Sequence, residues 1–408
     1  MQLNSRLSQF LKLPIWLISI GLCLFGLGCT NALATEQLSA LRAIIGSQDA
    51  ILVTDPHGGI IVSKNADKEL VPASTLKIFT ALVALHYLGP DYRFTTEFYL
   101  DEDQNLKVKG HGDPLLISEI LVEIAATLRI RLEKVNDIVL DDSYFAQPLT
   151  IPGISSSTEP YDAPNGALCV NFNTVNFKKV NGDYISGEPQ TPLLAFALDR
   201  IKRTKLNEGR IVLSHDDNEC TLYAGHLFRY FLRTQGIQTG PDIRIGKVQK
   251  ATDTLIHTYV SRFSLKDIIA KLLEHSNNYT TNQILIAAGI RAYGPPGTLA
   301  KGVQAATSFA TDGLQLDSFS IAEGSGISRE NRISALDLHK VIEAFEPHRH
   351  LMQREGSEFF KTGTLFGIST RVGYIENSQS NVYRYVVLIN TPGKSADRAM
   401  KLLRITLD

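Results

Sequence analysis

The sequence predicts a mixed α/β (α+β) protein. A sheet flanked by helices and an all-helical lobe form one discontinuous unit, and a long mixed insertion interrupts it. Three observations carry this. Two β-type runs joined by a glycine-rich turn stand ahead of residue 70, and three more stand beyond residue 357 with a helical pattern after them. Helical stripes fill much of the stretch from 264 to 346. Between Lys77 and Ser276 lie 198 residues, far too many for a loop, so folded structure is inserted there.

In chain order, Ala50 to Val53 and Ile60 to Ser63 read as a hairpin around Pro56-His57-Gly58-Gly59. The run Leu76, Ile78, Phe79, Ala81, Leu82, Val83 and Leu85 follows Pro72 and is apolar nearly all round, which marks a buried helix. The inserted part, 94–251, mixes types. Ile117 to Arg129 and Ala224 to Gln235 read as helices, and Val135 to Leu140 and Arg210 to Leu213 as strands. Beyond it, Leu265, Ile268, Ile269, Leu272 and Leu273 form one helical stripe, and a second helix runs from about Tyr279 to Ala292. Glu358 to Leu365, Ile368 to Glu376 and Val382 to Asn390 read as strands, and a helix from Ser395 to Ile405 follows. The plan is a leader at 1–34, a discontinuous main domain at 35–93 and 252–408, and inserted accessory structure at 94–251.

Three short motifs occur in order along this plan: Ser74-Thr75-Leu76-Lys77, Ser276-Asn277-Asn278 and Lys361-Thr362-Gly363. Ser-x-x-Lys and Lys-Thr-Gly each occur once. Ser-x-Asn recurs only at Ser63-Lys64-Asn65, ahead of Ser74 and so out of order. Each motif has a physical sense. Ser74 and Lys77 on one helical face lie about 5 to 6 Å apart at Cβ. Burial disfavours an ammonium, so Lys77 can act as the base that a serine nucleophile needs. The helix N-terminus adds positive potential where an oxyanion develops. Taken alone, the same residues are a serine N-cap followed by a lysine reaching solvent.

Ser276 and Asn278 fall at a helix end. There a hydroxyl can relay a proton, and an amide can hold a peptide backbone by donor and acceptor together. Period-2 alternation puts Thr362 and Thr364 on one strand face and Lys361 on the other. The hydroxyls can then hold a substrate carboxylate, with Lys361 supplying positive charge. Gly363, lacking a side chain, lets another backbone approach closely.

The ordered set resembles that of the penicillin-binding D-alanyl-D-alanine carboxypeptidase/endopeptidase family, in its low-molecular-mass members with inserted domains. Other segments resemble that family too: Gly110-His111-Gly112-Asp113-Pro114, Leu140 to Phe145, Tyr161-Asp162-Ala163-Pro164, Val170-Asn171-Phe172-Asn173 and Glu323 to Arg329. The resemblance spans roughly Ala50 to Asn390. It implies a β-lactamase/transpeptidase-like fold, with an antiparallel sheet flanked by helices. It implies Ser74 as acylated nucleophile, Lys77 as base, and Ser276 and Asn278 as proton relay and substrate clamp. Lys361, Thr362, Gly363 and Thr364 would surround the substrate carboxylate, and the N–H groups of Ser74 and Thr364 would form the oxyanion hole. Asp141, Phe145 and Arg329 would line a pocket for the side chain of the stem peptide's diamino acid. Asn277 stands where many relatives carry Asp, a variable position.

The implied activity is release of D-alanine from peptidoglycan stem peptides through an acyl-serine, with cleavage of cross-links as a second activity and β-lactams as covalent inhibitors. Two other readings stand beside it. A β-lactamase or esterase shares the fold, but no Glu-x-x-Leu-Asn segment for deacylation is present. A non-catalytic wall-binding or sensor protein would be expected to have lost a motif residue, and none is missing.

Arg6 and Lys12 precede the apolar stretch Ile15 to Leu27, and Ala32-Leu33-Ala34 offers a small-x-small cleavage site, so export to the periplasm or cell envelope is expected. Leu27-Gly28-Cys29 approximates a lipobox with Gly26 where leucine is usual, so soluble export is preferred to a lipid anchor at Cys29. Cleavage leaves Cys169 and Cys220, which can pair in an oxidising compartment or stand as two buried thiols. Histidine and cysteine spacing implies no metal, and no cofactor is indicated. Loss of Arg6 and Lys12 takes the net charge from −1 to −3, which excludes the electrostatic footprint of a nucleic-acid binder.

Overall fold

A computed structural model describes residues 37–407. The leader, its cleavage site and the Cys29 lipobox lie outside the described residues. Among those described, no helix is long and apolar enough to cross a membrane.

A six-stranded antiparallel sheet organises the main domain. From one edge to the other it runs Gln353–Glu355, Glu358–Leu365, Ile368–Glu376, Val382–Ile389, Asp49–Thr54 and Ile60–Lys64. The early hairpin therefore joins the late strands directly, with Asp49 opposite Ile389 and Thr54 opposite Arg384. Alternation sorts the side chains. Ala50, Leu52, Val386 and Leu388 face a helical core, while Ile51, Val53, Val387 and Ile389 face the other side. There Ala399, Met400 and Leu403 of the terminal helix Ala396–Leu407 and Leu41 of a helix at 37–44 cover the sheet. On the helical side stand Lys77–Leu88, Leu265–His275, Asn278–Tyr293 and Ala335–Phe345.

The inserted part has its own core. A five-stranded mixed sheet runs Ile243–Ile245, Ile138–Asp141, Leu106–Gly110, Thr95–Leu100 and Thr254–Val260, the first three parallel and the rest antiparallel. Helices Ser118–Arg129 and Asp217–Thr234 bury Ile120, Ile124, Leu227 and Phe228 against Phe98, Val108 and Leu140. A three-stranded antiparallel sheet, Asp183–Ser186, Thr174–Val180 and Glu208–Val212, extends the same core with helix Ala195–Thr204.

Three sequence expectations need adjustment. The strand read as Val135 to Leu140 is two, Lys134–Val135 and Ile138–Asp141. Between them Asn136 N donates to Gln104 O and Asp137 N to Asn105 Oδ1, so these residues bind a turn instead of continuing a ladder. The helix read from Ala224 begins at Asp217, capped by Asp216, whose Oδ1 accepts from Glu219 N at 3.1 Å. Strand Thr254–Val260, beyond the 251/252 boundary, pairs with Thr95–Leu100 inside the insert's sheet.

Polar contacts bolt the insert to helix Asn278–Tyr293. Asn165 Nδ2 donates to Tyr279 O at 2.8 Å, and Gln283 Nε2 donates to Gly112 O and Gly166 O at 3.1 and 3.0 Å. The segment Gly110 to Pro114 thus meets the first turns of the helix that carries Asn278.

Candidate active site

Ser74 lies on a 3-10 turn, Ala73–Leu76, that runs straight into helix Lys77–Leu88. Two hydroxyls pin its entry: Thr75 Oγ1 and Thr370 Oγ1 both donate to Pro72 O, at 2.6 and 2.8 Å. Two glycines let neighbouring backbone close on the turn. A Cβ at Gly363 would stand 2.8 Å from Ser74 N, and one at Gly326 would stand 1.9 Å from Ala73 O. Gly326 also has φ +82°, a conformation that favours glycine. Strand and loop can therefore lie directly against the serine.

Lys77 is completely buried. Its Nζ lies 2.9 Å from Ser74 Oγ, 2.8 Å from Asn278 Oδ1 and 2.7 Å from Ser325 O. Two of these partners, an amide oxygen and a backbone carbonyl, can only accept. A neutral amine serves both with its two N–H bonds, and its lone pair is left for the Ser74 hydroxyl proton. Burial, aided by the charge of Lys361 and opposed by that of Glu323, lowers the Lys77 pKa to about 7. The group is thus poised to accept a proton near neutrality.

Asn278 reaches Lys77 because it opens helix Asn278–Tyr293, whose N-cap Asn277 accepts from Thr280 N at 2.8 Å. Its Nδ2 donates to Tyr161 O at 3.2 Å, so the insert helps to orient the amide. Ser276 is the left-handed C-cap of helix Leu265–His275, at φ 55°, and is half-buried. It makes no hydrogen bond to Ser74, Lys77 or Lys361. The second motif is a helix–cap–helix junction, which turns two adjacent helix ends toward one point.

Lys361 is buried on strand Glu358–Leu365, and its Nζ donates to Thr362 O at 3.0 Å. Burial brings its pKa down to about 8. The strand alternates as expected: Phe359 belongs to the helical core and Phe360 to the opposite one. Thr362 is half-buried and Thr364 exposed. The outer strand Gln353–Glu355 pairs only as far as Phe360, so from Lys361 onward this edge of the sheet has no partner strand among the described residues.

Sequence reasoning assigned no role to Glu323. It is completely buried. Its Oε2 accepts from Ser325 N, Ser325 Oγ and Asn282 Nδ2 at 2.6, 2.7 and 3.0 Å. Its Oε1 accepts from Gly326 N, Asn331 Nδ2 and Ser328 N at 2.7, 2.7 and 3.2 Å. The only signal in the sequence is an acid inside a glycine- and serine-rich segment that resembles a known family, which by itself reads as a turn.

The three residues implied to line a side-chain pocket share no hydrogen bond or core cluster with one another. Asp141 is buried in the insert, where its carboxylate accepts from Lys109 Nζ, Val248 N, Ser143 N and Ser143 Oγ. Burial raises its pKa, but these donors outweigh burial and hold it below the usual carboxylate range. Phe145, 1% exposed, packs with Ala167, Ile286 and Ile290 at the junction of insert and helix, so it offers a ligand no surface. Arg329 is exposed and donates to Phe366 O at the turn just past Thr364.

The model of the D-Ala-D-Ala carboxypeptidase 3 (S13) family matches residues 32–217 and 207–353 of this chain. The D-alanyl-D-alanine carboxypeptidase of Actinomadura sp. (strain R39) is 26% identical over 347 residues, covering 72% of this chain and 63% of the relative, so the chain spans less than two thirds of that protein. D-alanyl-D-alanine carboxypeptidase DacB of Haemophilus influenzae is 24% identical over 400 residues, covering 81% of this chain and 82% of the relative. In fold, the chain is similar to the crystal structure of penicillin binding protein 4 from Haemophilus influenzae, with a TM-score of 0.69 at 20% identity over 88% of this chain and 94% of that one.

Proposed function

The chain belongs to the D-Ala-D-Ala carboxypeptidase 3 (S13) family, and from that premise we propose that it is a serine-type D-alanyl-D-alanine carboxypeptidase acting on peptidoglycan stem peptides through an ester on Ser74. The observation that carries this is the 2.9 Å approach of Lys77 Nζ to Ser74 Oγ, with both other Lys77 partners able only to accept. Ser74 Oγ attacks the carbonyl of the penultimate D-alanine as its proton passes to Lys77. The N–H groups of Ser74 and Thr364 receive the oxyanion. Collapse breaks the peptide bond as the Lys77 proton reaches the nitrogen of the departing D-alanine; for Ser276 to relay it, the Ser276 hydroxyl must come within hydrogen-bond reach of Lys77 once the substrate is seated. Water then attacks the ester and regenerates the serine. Asn278 holds the substrate amide, and the open strand edge from Lys361 lies beside the peptide. The leader residues ahead of Ala34 support export, which would put the site in the compartment where this polymer is made.

Incubation with purified muropeptides tests the assignment. Free D-alanine is expected from pentapeptide monomers, and loss of cross-linked dimers would establish endopeptidase activity beside it. If neither product forms, the substrate is misassigned.

Thr362 recognises the terminal carboxylate through a charge-assisted hydrogen bond from its hydroxyl. Thr362→Val keeps the β-branched shape and removes the donor. Such a bond is worth about 1.5 to 3 kcal/mol, so kcat/KM is expected to fall roughly ten- to hundred-fold on a peptide with a free carboxylate and little on its amide-capped twin. Equal losses on the matched pair would leave Thr362 a shaping role only.

A further inference from the structure

We propose that Glu323 is a positioning residue for acyl transfer. Its carboxylate moulds the loop that presents Ser325 O to Lys77, and it supplies the counter-charge for the ammonium that forms when Ser74 gives up its proton. The proposal rests on the acyl-transfer reading above.

The moulding follows from the donors. Both carboxylate oxygens are saturated by groups spread over Asn282, Ser325, Gly326, Ser328 and Asn331, which curls residues 323–331 around a single anion. Asn331 completes the ring by accepting Ala322 N at its Oδ1, and Asn282 by accepting Gly324 N, each at 2.8 Å. Thr80 Oγ1, one turn beyond Lys77 on the same helix, donates to Gly324 O at 2.6 Å and fastens the loop to that helix. The outcome is Ser325 O at 2.7 Å from Lys77 Nζ, with Gly326 pressed against Ala73 O beside the nucleophile.

The counter-charge follows from what surrounds the lysine. Helix Asn278–Tyr293 presents the neutral Asn278 to it, and the 3-10 turn presents the neutral Ser74. Strand Glu358–Leu365 contributes the cation Lys361, and the loop contributes the anion Glu323. Lys361 resists a second positive charge in this buried space, whereas Glu323 favours one. Proton transfer from Ser74 creates that charge, so the carboxylate acts at the step where the ammonium appears.

The test is the pH dependence of covalent labelling by a fluorescent penicillin in wild type, Glu323→Gln and Glu323→Asp, with Ser74→Ala as the unlabelled control. Glu323→Gln is expected to slow labelling at pH 7 by about tenfold or more and to move the acid limb down by about one pH unit, because the remaining Lys361 charge then acts unopposed. Glu323→Asp keeps the charge and withdraws it by one methylene, so its rate and limb should fall between the two. Thermal melts report the fold. A slower Gln variant whose limb has not moved overturns the counter-charge and leaves a scaffold role. If Glu323→Gln does not fold, the Asp variant decides, and a wild-type rate and limb there overturn the proposal. A wild-type protein that takes no label defeats the acyl-transfer reading itself, and this inference with it.

Discussion

Fluorescent penicillin is expected to label the protein covalently, and Ser74→Ala to abolish that label by at least about a thousandfold. A β-lactam presents a strained amide to the nucleophile and stays attached when the ester forms. In-gel fluorescence and the mass of the intact protein give the readout. Ser74 Oγ bonds Lys77 and no other described residue, so its loss removes the nucleophile and leaves Pro72, Thr75 and Thr370 to hold the turn. Circular dichroism of the variant should therefore match wild type. Undiminished labelling would show that another side chain is acylated.

Lys77 and Lys361 are the same residue type in different roles and should differ sharply in the size of their response to the same substitution. Lys77→Arg is expected to cut acylation by about a thousandfold or more, since a guanidinium stays protonated and cannot act as a base. Lys361→Arg keeps the cation and should cost about tenfold or less. The pH profiles separate the roles further. Lys77 acts as its free amine, which predominates above about 7, so acylation should rise through that pH. Lys361 acts as a cation, which is lost above about 8, so the rate should fall again beyond it. The wild-type optimum is then a narrow window between the two. Lys361→Arg should remove the alkaline limb and keep the acid one. A reversed order of rates would mean the base is misassigned, and an alkaline limb that survives in Lys361→Arg would mean that limb does not belong to Lys361.

The approach of Lys77 to Ser74 was legible because one helical turn fixes the spacing of the two residues, whatever the rest of the chain does. The strands from 358 to 389 were legible because each buries opposite faces in two different cores. Strand Thr254–Val260 was not. It sits at a sheet edge with Leu255 and Val260 half exposed, so no alternation of buried and exposed residues marks it. Glu323 escaped for another reason: its six donors come from backbone and side chains that meet only when the loop has closed. Asp141 and Phe145 show the converse. Their segment resembles a known family, yet their surroundings are set by Lys109, Val248, Ile286 and Ile290, at positions that no local pattern connects to them.

The pairing of the sheet's last strand in the chain, Val382–Ile389, with its earliest, Asp49–Thr54, matters most during synthesis. A ribosome delivers Ser74 early, but the groups that equip it arrive late. Asn278 follows Lys77 by 201 residues and Ser325 by 248, and Asn390, whose Oδ1 accepts Val71 N just before the serine turn, follows Val71 by 319. Strand Asp49–Thr54 finds its neighbour Val382–Ile389 only when nearly the whole chain exists. The insert, whose sheet closes between Thr95 and Val260, has all its strands well before then and can fold as a unit. Such long-range closure is slow relative to local structure. A nascent or truncated chain therefore carries an ordinary serine on an unfinished scaffold. Until the last strand docks, the turn that carries Ser74 lacks the contact of Val71 with Asn390, so the geometry around the serine is complete only at the end of folding.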